Sequence, residues 1–155
     1  MVISQHDMPK GKVLISAYAI IEGKDASVLF IYEGDAPYHK MLALPGGYVK
    51  PDETIEQTVV REVEEETGLK VAPTEFVGIY QDFLTENDEL INHIIAVYKV
   101  EVVGGRLIFS KEATAYKWLT LKEALSCSEI PDVFKRVLKD FGKERKKRFS
   151  LRQHF

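Results

Sequence analysis

Between Gly47 and Leu69 the chain carries seven acidic residues and two basic ones, a net charge of −5, whereas the whole 155-residue chain is only −3. Like charges packed that densely repel one another. Such a segment folds only if its geometry separates the carboxylates or a cation offsets them. Thr54 with Gln57 three residues on has capping-box spacing, Asp52 is a competing cap, and Gly68 is a C-terminal stop. The segment therefore predicts a helix between Thr54 and Gly68. At about 100° per residue, Ile55, Val59 and Val63 line one meridian, the apolar face that should meet a sheet. Glu66 falls on almost the same meridian, seven residues after Val59. Glu62 lies roughly 60° to one side and Glu65 about 120° to that same side. Glu64 points toward solvent.

A carboxylate on an apolar face is costly unless it is paired or coordinates a metal. Three of them starting from that face are more than one arginine is expected to satisfy. A hard divalent cation with oxygen ligands is the natural partner, and Mg²⁺ is the common one. The competing reading is a solvated acidic face laced with Glu–Lys pairs, as most glutamate runs on helices are. The scarcity of lysines in the segment and the inward position of Glu66 weigh against it. Glu53 and Arg61, eight residues apart, read as a structural ion pair that holds the preceding loop to the helix. That loop is Leu44-Pro45-Gly46-Gly47. Adjacent glycines let the backbone approach a ligand closely, so a carbonyl there could complete a metal shell.

The rest of the chain supplies strands and two more helices. Val13 to Ile21 and Ser27 to Tyr32 are rich in β-branched and aromatic residues and flank a turn at Glu22-Gly23-Lys24-Asp25. Phe76 to Phe83 and Leu90 to Val103 read as two further strands around Thr85-Glu86-Asn87-Asp88, with a last short strand at Ala115 to Leu119. Leu121 to Leu125 and Val133 to Phe141 read as helices. These elements do not repeat as strand–helix–strand units, which favours an α/β mixed sheet with helices packed on its faces. The length fits one domain over residues 1–155, with a basic tail from about 143 onward. No stretch approaches the ~18 apolar residues of a membrane span. Met1 to Pro9 does not read as a signal peptide. One cysteine, Cys127, rules out an internal disulfide and suits a reducing cytoplasm.

The residues around the acidic helix resemble the Nudix box: Gly, five residues, Glu, seven residues, then Arg-Glu-aliphatic-any-Glu-Glu-any-Gly-aliphatic. Gly47, Glu53, Arg61, Glu62, Val63, Glu65, Glu66, Gly68 and Leu69 occupy all nine positions. The resemblance implies a Nudix fold, an α/β/α sandwich around a mixed sheet. It implies hydrolysis of a nucleoside diphosphate linked to another moiety, dependent on Mg²⁺, with Mn²⁺ as the alternative ion. It implies Glu62, Glu65 and Glu66 as metal ligands and catalytic carboxylates, with the Gly47 carbonyl often joining them. A glutamate commonly serves as general base. Glu62 is the first candidate and Glu112, just before the last strand, the second. Glu112 reads equally well as an exposed charge, and Glu86 and Glu89 are weaker candidates.

Substrate choice is less legible. The segments around the box resemble both MutT-like nucleoside triphosphate pyrophosphohydrolases and ADP-ribose pyrophosphatases. The absence of proline in Phe83-Leu84-Thr85-Glu86 weighs against the second. A nucleotide-sensing regulatory domain is a third reading, disfavoured by the intact box. Tyr18, Tyr48, Tyr80 and Phe83 are aromatics that could stack on a base, although packing roles are the first reading for each. His93 reads as a satisfied histidine within an apolar strand rather than a ligand. Lys143 to Arg152 holds six basic residues and one acidic, a solvated, partly disordered end rather than an RNA-binding arm. Many family members form homodimers, but no segment of the sequence marks an interface.

Overall fold

The computed structural model describes residues 11–33, 38, 40–108 and 113–152. In chain order the elements are β1 (Lys12–Ile21), β2 (Val28–Glu33), β3 (Leu42–Ala43), β4 (Gly46–Tyr48), α1 (Ile55–Thr67), β5 (Leu69–Glu86), β6 (Glu89–Gly105), β7 (Ala113–Leu119), α2 (Leu121–Ser126) and α3 (Asp132–Arg152). The strands divide into two sheets. The larger has the order β4-β1-β6-β5 and the smaller the order β3-β2-β7. β1 runs parallel to β6, while every other pairing is antiparallel, so the larger sheet is mixed.

Alternation along β1 explains the layering. Side chains on a strand point to opposite faces in turn. Ala17, Ala19 and Ile21 join Val59 and Val63 of α1 in one core. Tyr18 and Ile20 join Phe134, Val137 and Leu138 of α3 in a second core. The larger sheet therefore carries a helix on each face, the expected α/β/α sandwich.

α1 begins and ends where its caps place it. Thr54 accepts from the Gln57 amide at 3.1 Å, while the Thr54 amide donates to the Gln57 side chain at 2.9 Å. Gly68, in the left-handed region at φ 74°, ends the helix. The chain turns there straight into β5, several residues earlier than the apolar pattern marks its start. Pro73 sits in β5 beside a register shift, which is tolerable because β5 is an edge strand. Asn87 and Asp88, both at positive φ, close the β5–β6 hairpin.

The largest departure is at the C-terminus. α3 does not stop near Phe141 but runs on to Arg152. Arg145 pairs with Glu22 at 3.2 Å, and Arg148 grips both oxygens of Glu75 at 2.6 and 2.9 Å. The basic stretch expected as a loose end is thus helical, with two arginines tied to strand carboxylates. No helix of the described residues is long and apolar enough to cross a membrane.

Val63 is fully buried between α1 and the sheet. Val63→Ala should lower stability by about 2 kcal/mol in chemical denaturation. A denaturation midpoint equal to wild type would contradict this orientation of α1.

Candidate active site

The helix wheel is reproduced as a gradient of burial. The Glu66 residue is 6% exposed, whereas the Glu65 side chain is 46% exposed and that of Glu62 only 15%. Glu66 is held by the backbone of β4, whose Gly46 amide donates to its Oε1 at 2.9 Å. That bond meets the need of a carboxylate on a buried face.

Arg61 does more than pair with Glu53. Its Nε and Nη2 grip the two Glu53 oxygens at 2.7 and 2.8 Å. Its Nη1 donates to Glu62 at 2.7 Å and to Glu65 at 3.1 Å, and Nη2 reaches the Tyr48 carbonyl at 3.2 Å. All five guanidinium donors are thereby engaged. One arginine thus serves two of the three helix carboxylates, more than the sequence led us to expect. Its bonds to Glu53 hold that carboxyl well below its ordinary value, at about 2.

Gly47 explains why glycine stands at its position. A Cβ there would lie 2.5 Å from the Glu62 Cδ and 2.6 and 2.8 Å from its two oxygens. Any larger residue would displace the Glu62 carboxylate from β4. Among the described residues no three acidic, histidine or cysteine side chains close into a preformed metal cage. The three glutamates fan out, because Arg61 draws Glu65 along the helix surface while Gly46 draws Glu66 inward. An open set of hard oxygens fits Mg²⁺, which keeps several waters and binds through one or two carboxylates plus substrate phosphates.

At Tyr48, on the face of the larger sheet away from α1, opens a cleft of about 230 Å³. Leu14 of β1, Leu84 of β5, and Ile91 and His93 of β6 line it, with Tyr48 and Glu86 at its sides. His93 is fully buried. The Tyr38 hydroxyl donates to Asp82 at 3.2 Å, so its oxygen accepts from His93 Nδ1, also at 3.2 Å. Nε2 is left to accept from Ser16 at 2.7 Å. Burial pushes the His93 pKa down, which favours this neutral form. His93 is a satisfied histidine, as expected, and it also forms the cleft wall.

Of the four aromatics, Tyr48 alone flanks this cleft, its ring centroid 5.9 Å from that of His93. Tyr18 is buried edge-on against Phe134, and Tyr80 donates to Asp140 at 2.8 Å. Phe83 is exposed. Glu86 borders the cleft, and Glu89 pairs with Lys12 at 3.0 Å. Glu112 lies outside the described residues. Leu14 and Ile91 read in the sequence only as strand residues and Leu84 as the residue just past a strand; register alone brings them together.

The NUDIX domain family model matches residues 12–141. This chain belongs to the Nudix family. Its activity class is accordingly that of a pyrophosphohydrolase, acting on a nucleoside diphosphate linked to a further group. The chain is 28% identical to an ADP-ribose pyrophosphatase of Methanocaldococcus jannaschii, across 90% of this chain and 82% of that protein. It is 34% identical to a MutT-like protein of Streptomyces ambofaciens, across 70% of this chain and 65% of that one. The crystal structure of a MutT protein from Methanosarcina mazei superposes with a TM-score of 0.81 at 29% identity, covering 90% of this Nudix chain and 99% of that one.

The Glu53–Arg61 pairing has a pH signature. Because the folded carboxyl titrates at about 2 rather than the ordinary 4.5, its contribution to stability is complete above pH 4.5 and is lost as pH falls toward 2. Urea midpoints of Glu53→Gln should therefore fall less steeply than wild type over that window. Parallel curves would show that the pair does not couple to folding.

Proposed function

We propose that this Nudix chain hydrolyses nucleoside triphosphates to the monophosphate and pyrophosphate, using Mg²⁺ held by Glu62, Glu65 and Glu66. The observation that carries this reading is the apposition of the Glu62 carboxylate and Gly47, on the strand whose next residue, Tyr48, flanks the cleft. When bound, the metal would polarise phosphoryl oxygens, lower the pKa of the attacking water and neutralise the leaving phosphate. The chain's own residues supply the positioning. Gly46 fixes Glu66, and Arg61 fixes Glu62 and Glu65 while tying the Glu53 loop and the Tyr48 carbonyl to the same helix. The Gly47 carbonyl is the backbone oxygen we assign to the metal shell.

Attack on phosphorus needs an acceptor for the water's proton. We assign that role first to Glu62, whose half-buried carboxylate lies against Gly47, and second to Glu112. Tyr48 and the apolar wall of Leu14, Leu84 and Ile91 offer a surface on which a base can rest. The lone Cys127 suits a reducing compartment, and we place the chain in the cytoplasm.

A second reading, ADP-ribose as substrate, is favoured by the relative from Methanocaldococcus jannaschii, which matches over most of the chain. Resolved products separate the two. Monophosphate with pyrophosphate from triphosphates supports the first; AMP with ribose phosphate from ADP-ribose, and inert triphosphates, supports the second.

Glu66→Gln keeps an oxygen for the Gly46 amide but removes a charge from the metal site. The variant should melt close to wild type, with kcat reduced by roughly 10²-fold or more. Near-normal turnover would remove Glu66 from the metal shell.

A further inference from the structure

We propose that His93 is a positioning residue for the substrate's base, which it serves by locking the Tyr48 ring at one angle. The proposal rests on the reading that this cleft receives the base, and it adds the part that holds one wall still. Sheet register brings the parts together. His93 pairs with Leu14 of β1 and with Asp82 of β5. Ser16, the next residue of β1 on that face, pairs with Tyr48 of β4. By alternation these side chains all point to the face away from α1.

The imidazole is held at both nitrogens. The Ser16 hydroxyl donates to Nε2 at 2.7 Å, and Nδ1 donates to the hydroxyl oxygen of Tyr38, which precedes β3, at 3.2 Å. That hydroxyl spends its own proton on Asp82, also at 3.2 Å. The bonds thus run in one direction, from Ser16 to the Asp82 carboxylate, and each polarises the next. Turning the ring about its Cβ–Cγ bond would break both of its anchors. Its neighbours on this face include Leu14, Ile91 and Ile95. An apolar side chain would fill the same wall with no partner to satisfy, and such replacements cost little. What an aliphatic side chain lacks is a plane fixed at one angle.

The fixed plane meets a tyrosine on either side. The His93 centroid lies 5.9 Å from that of Tyr38 and 5.9 Å from that of Tyr48, with the rings inclined at 33° and 51°. Tyr38 is buried, whereas Tyr48 is 42% exposed. Tyr48 therefore rests on His93 and keeps open surface toward the cleft. A flat base gains most from an aromatic ring that already stands in place, because ordering a side chain on binding weakens the complex.

His93 acts on the base and not on the metal end of the site. The backbone of Tyr48 is fixed separately. Its carbonyl accepts from Arg61 at 3.2 Å, and Gly46 and Gly47 stay paired to Tyr18 and Ala17 of β1. Loosening the Tyr48 ring therefore leaves Gly47 against Glu62. The effect belongs in substrate affinity, with the chemical step unchanged.

The test is a titration with AMP and with GMP in Mg²⁺, followed by amide proton–nitrogen spectra, on the wild type, Ser16→Ala and Tyr38→Phe. Neither Ser16 nor Tyr38 lines the cleft, so both variants act through His93. In the wild type the amides of Leu14, Tyr48, Leu84 and Ile91 should shift. In each variant Kd should rise about tenfold, the loss of one buried hydrogen bond, while shifts at Gly47 and from Glu62 to Glu66 persist at saturation. With the nucleotide that is turned over, KM should rise by the same factor and kcat stay within about twofold. Val100→Ala, on the opposite face at the far end of β6, is the stability control: it should melt lower and bind as wild type. An unchanged Kd in the two variants, or a rise no greater than that of Val100→Ala, would overturn the proposal. Wild-type shifts confined to Gly47 and α1, or absent altogether, would also overturn it; the confined pattern would spare the phosphohydrolase reading. Cleft shifts without any at Gly47 and α1, with the same loss of affinity, would uphold His93 and contradict the metal site instead. If Tyr38→Phe does not fold, Ser16→Ala decides.

Discussion

A single guanidinium makes the acidic helix possible. Arg61 spends every one of its donors on the carboxylates and carbonyl around it. Its bidentate grip on Glu53 is the strong form of charge-assisted hydrogen bonding, with fixed geometry as well as charge. Without it, the Glu53 loop would lose its bidentate tie to α1 and keep the Thr58 hydroxyl bond, and Glu62 and Glu65 would repel each other on adjacent turns. Arg61 therefore acts on the site through others: it places carboxylates and has no need to touch a substrate.

The second fixed point is the Gly46 amide on Glu66. It joins helix to sheet at the place where the helix turns its apolar face inward. Val59 and Val63 press α1 onto β1, and Glu66, on nearly the same meridian, is carried into the boundary with them. Packing and chemistry are thus set by one helical phase. A shift of α1 about its axis would expose Val63 and detach Glu66 together.

Much of this was legible in the residues themselves, because it depends on local rules. The Thr54 cap, the Gly68 stop and the burial order of Glu66, Glu62 and Glu65 follow from helical periodicity. What was not legible depends on distant contacts. The division of the strands into two sheets rests on register. β5 starts at Leu69 because Gly104 and Gly105 of β6 are there to pair with it. α3 extends past Phe141 because Glu22 and Glu75 meet its arginines. The cleft walls are assembled from β1, β5 and β6, and no single segment announces them. The Arg61 contacts to Glu62 and Glu65 were missed for a different reason: reading it as half of one ion pair left three of its donors unassigned.

The role of the three glutamates depends on a divalent cation sitting between α1 and β4. Titration with sub-stoichiometric Mn²⁺, followed by amide proton–nitrogen spectra, reads its position through paramagnetic broadening. The amides of Gly46, Gly47 and Tyr48 and those from Glu62 to Glu66 should broaden first, and excess Mg²⁺ should restore them. Broadening that begins elsewhere, or that Mg²⁺ does not reverse, would contradict the metal site and the role given to its three glutamates.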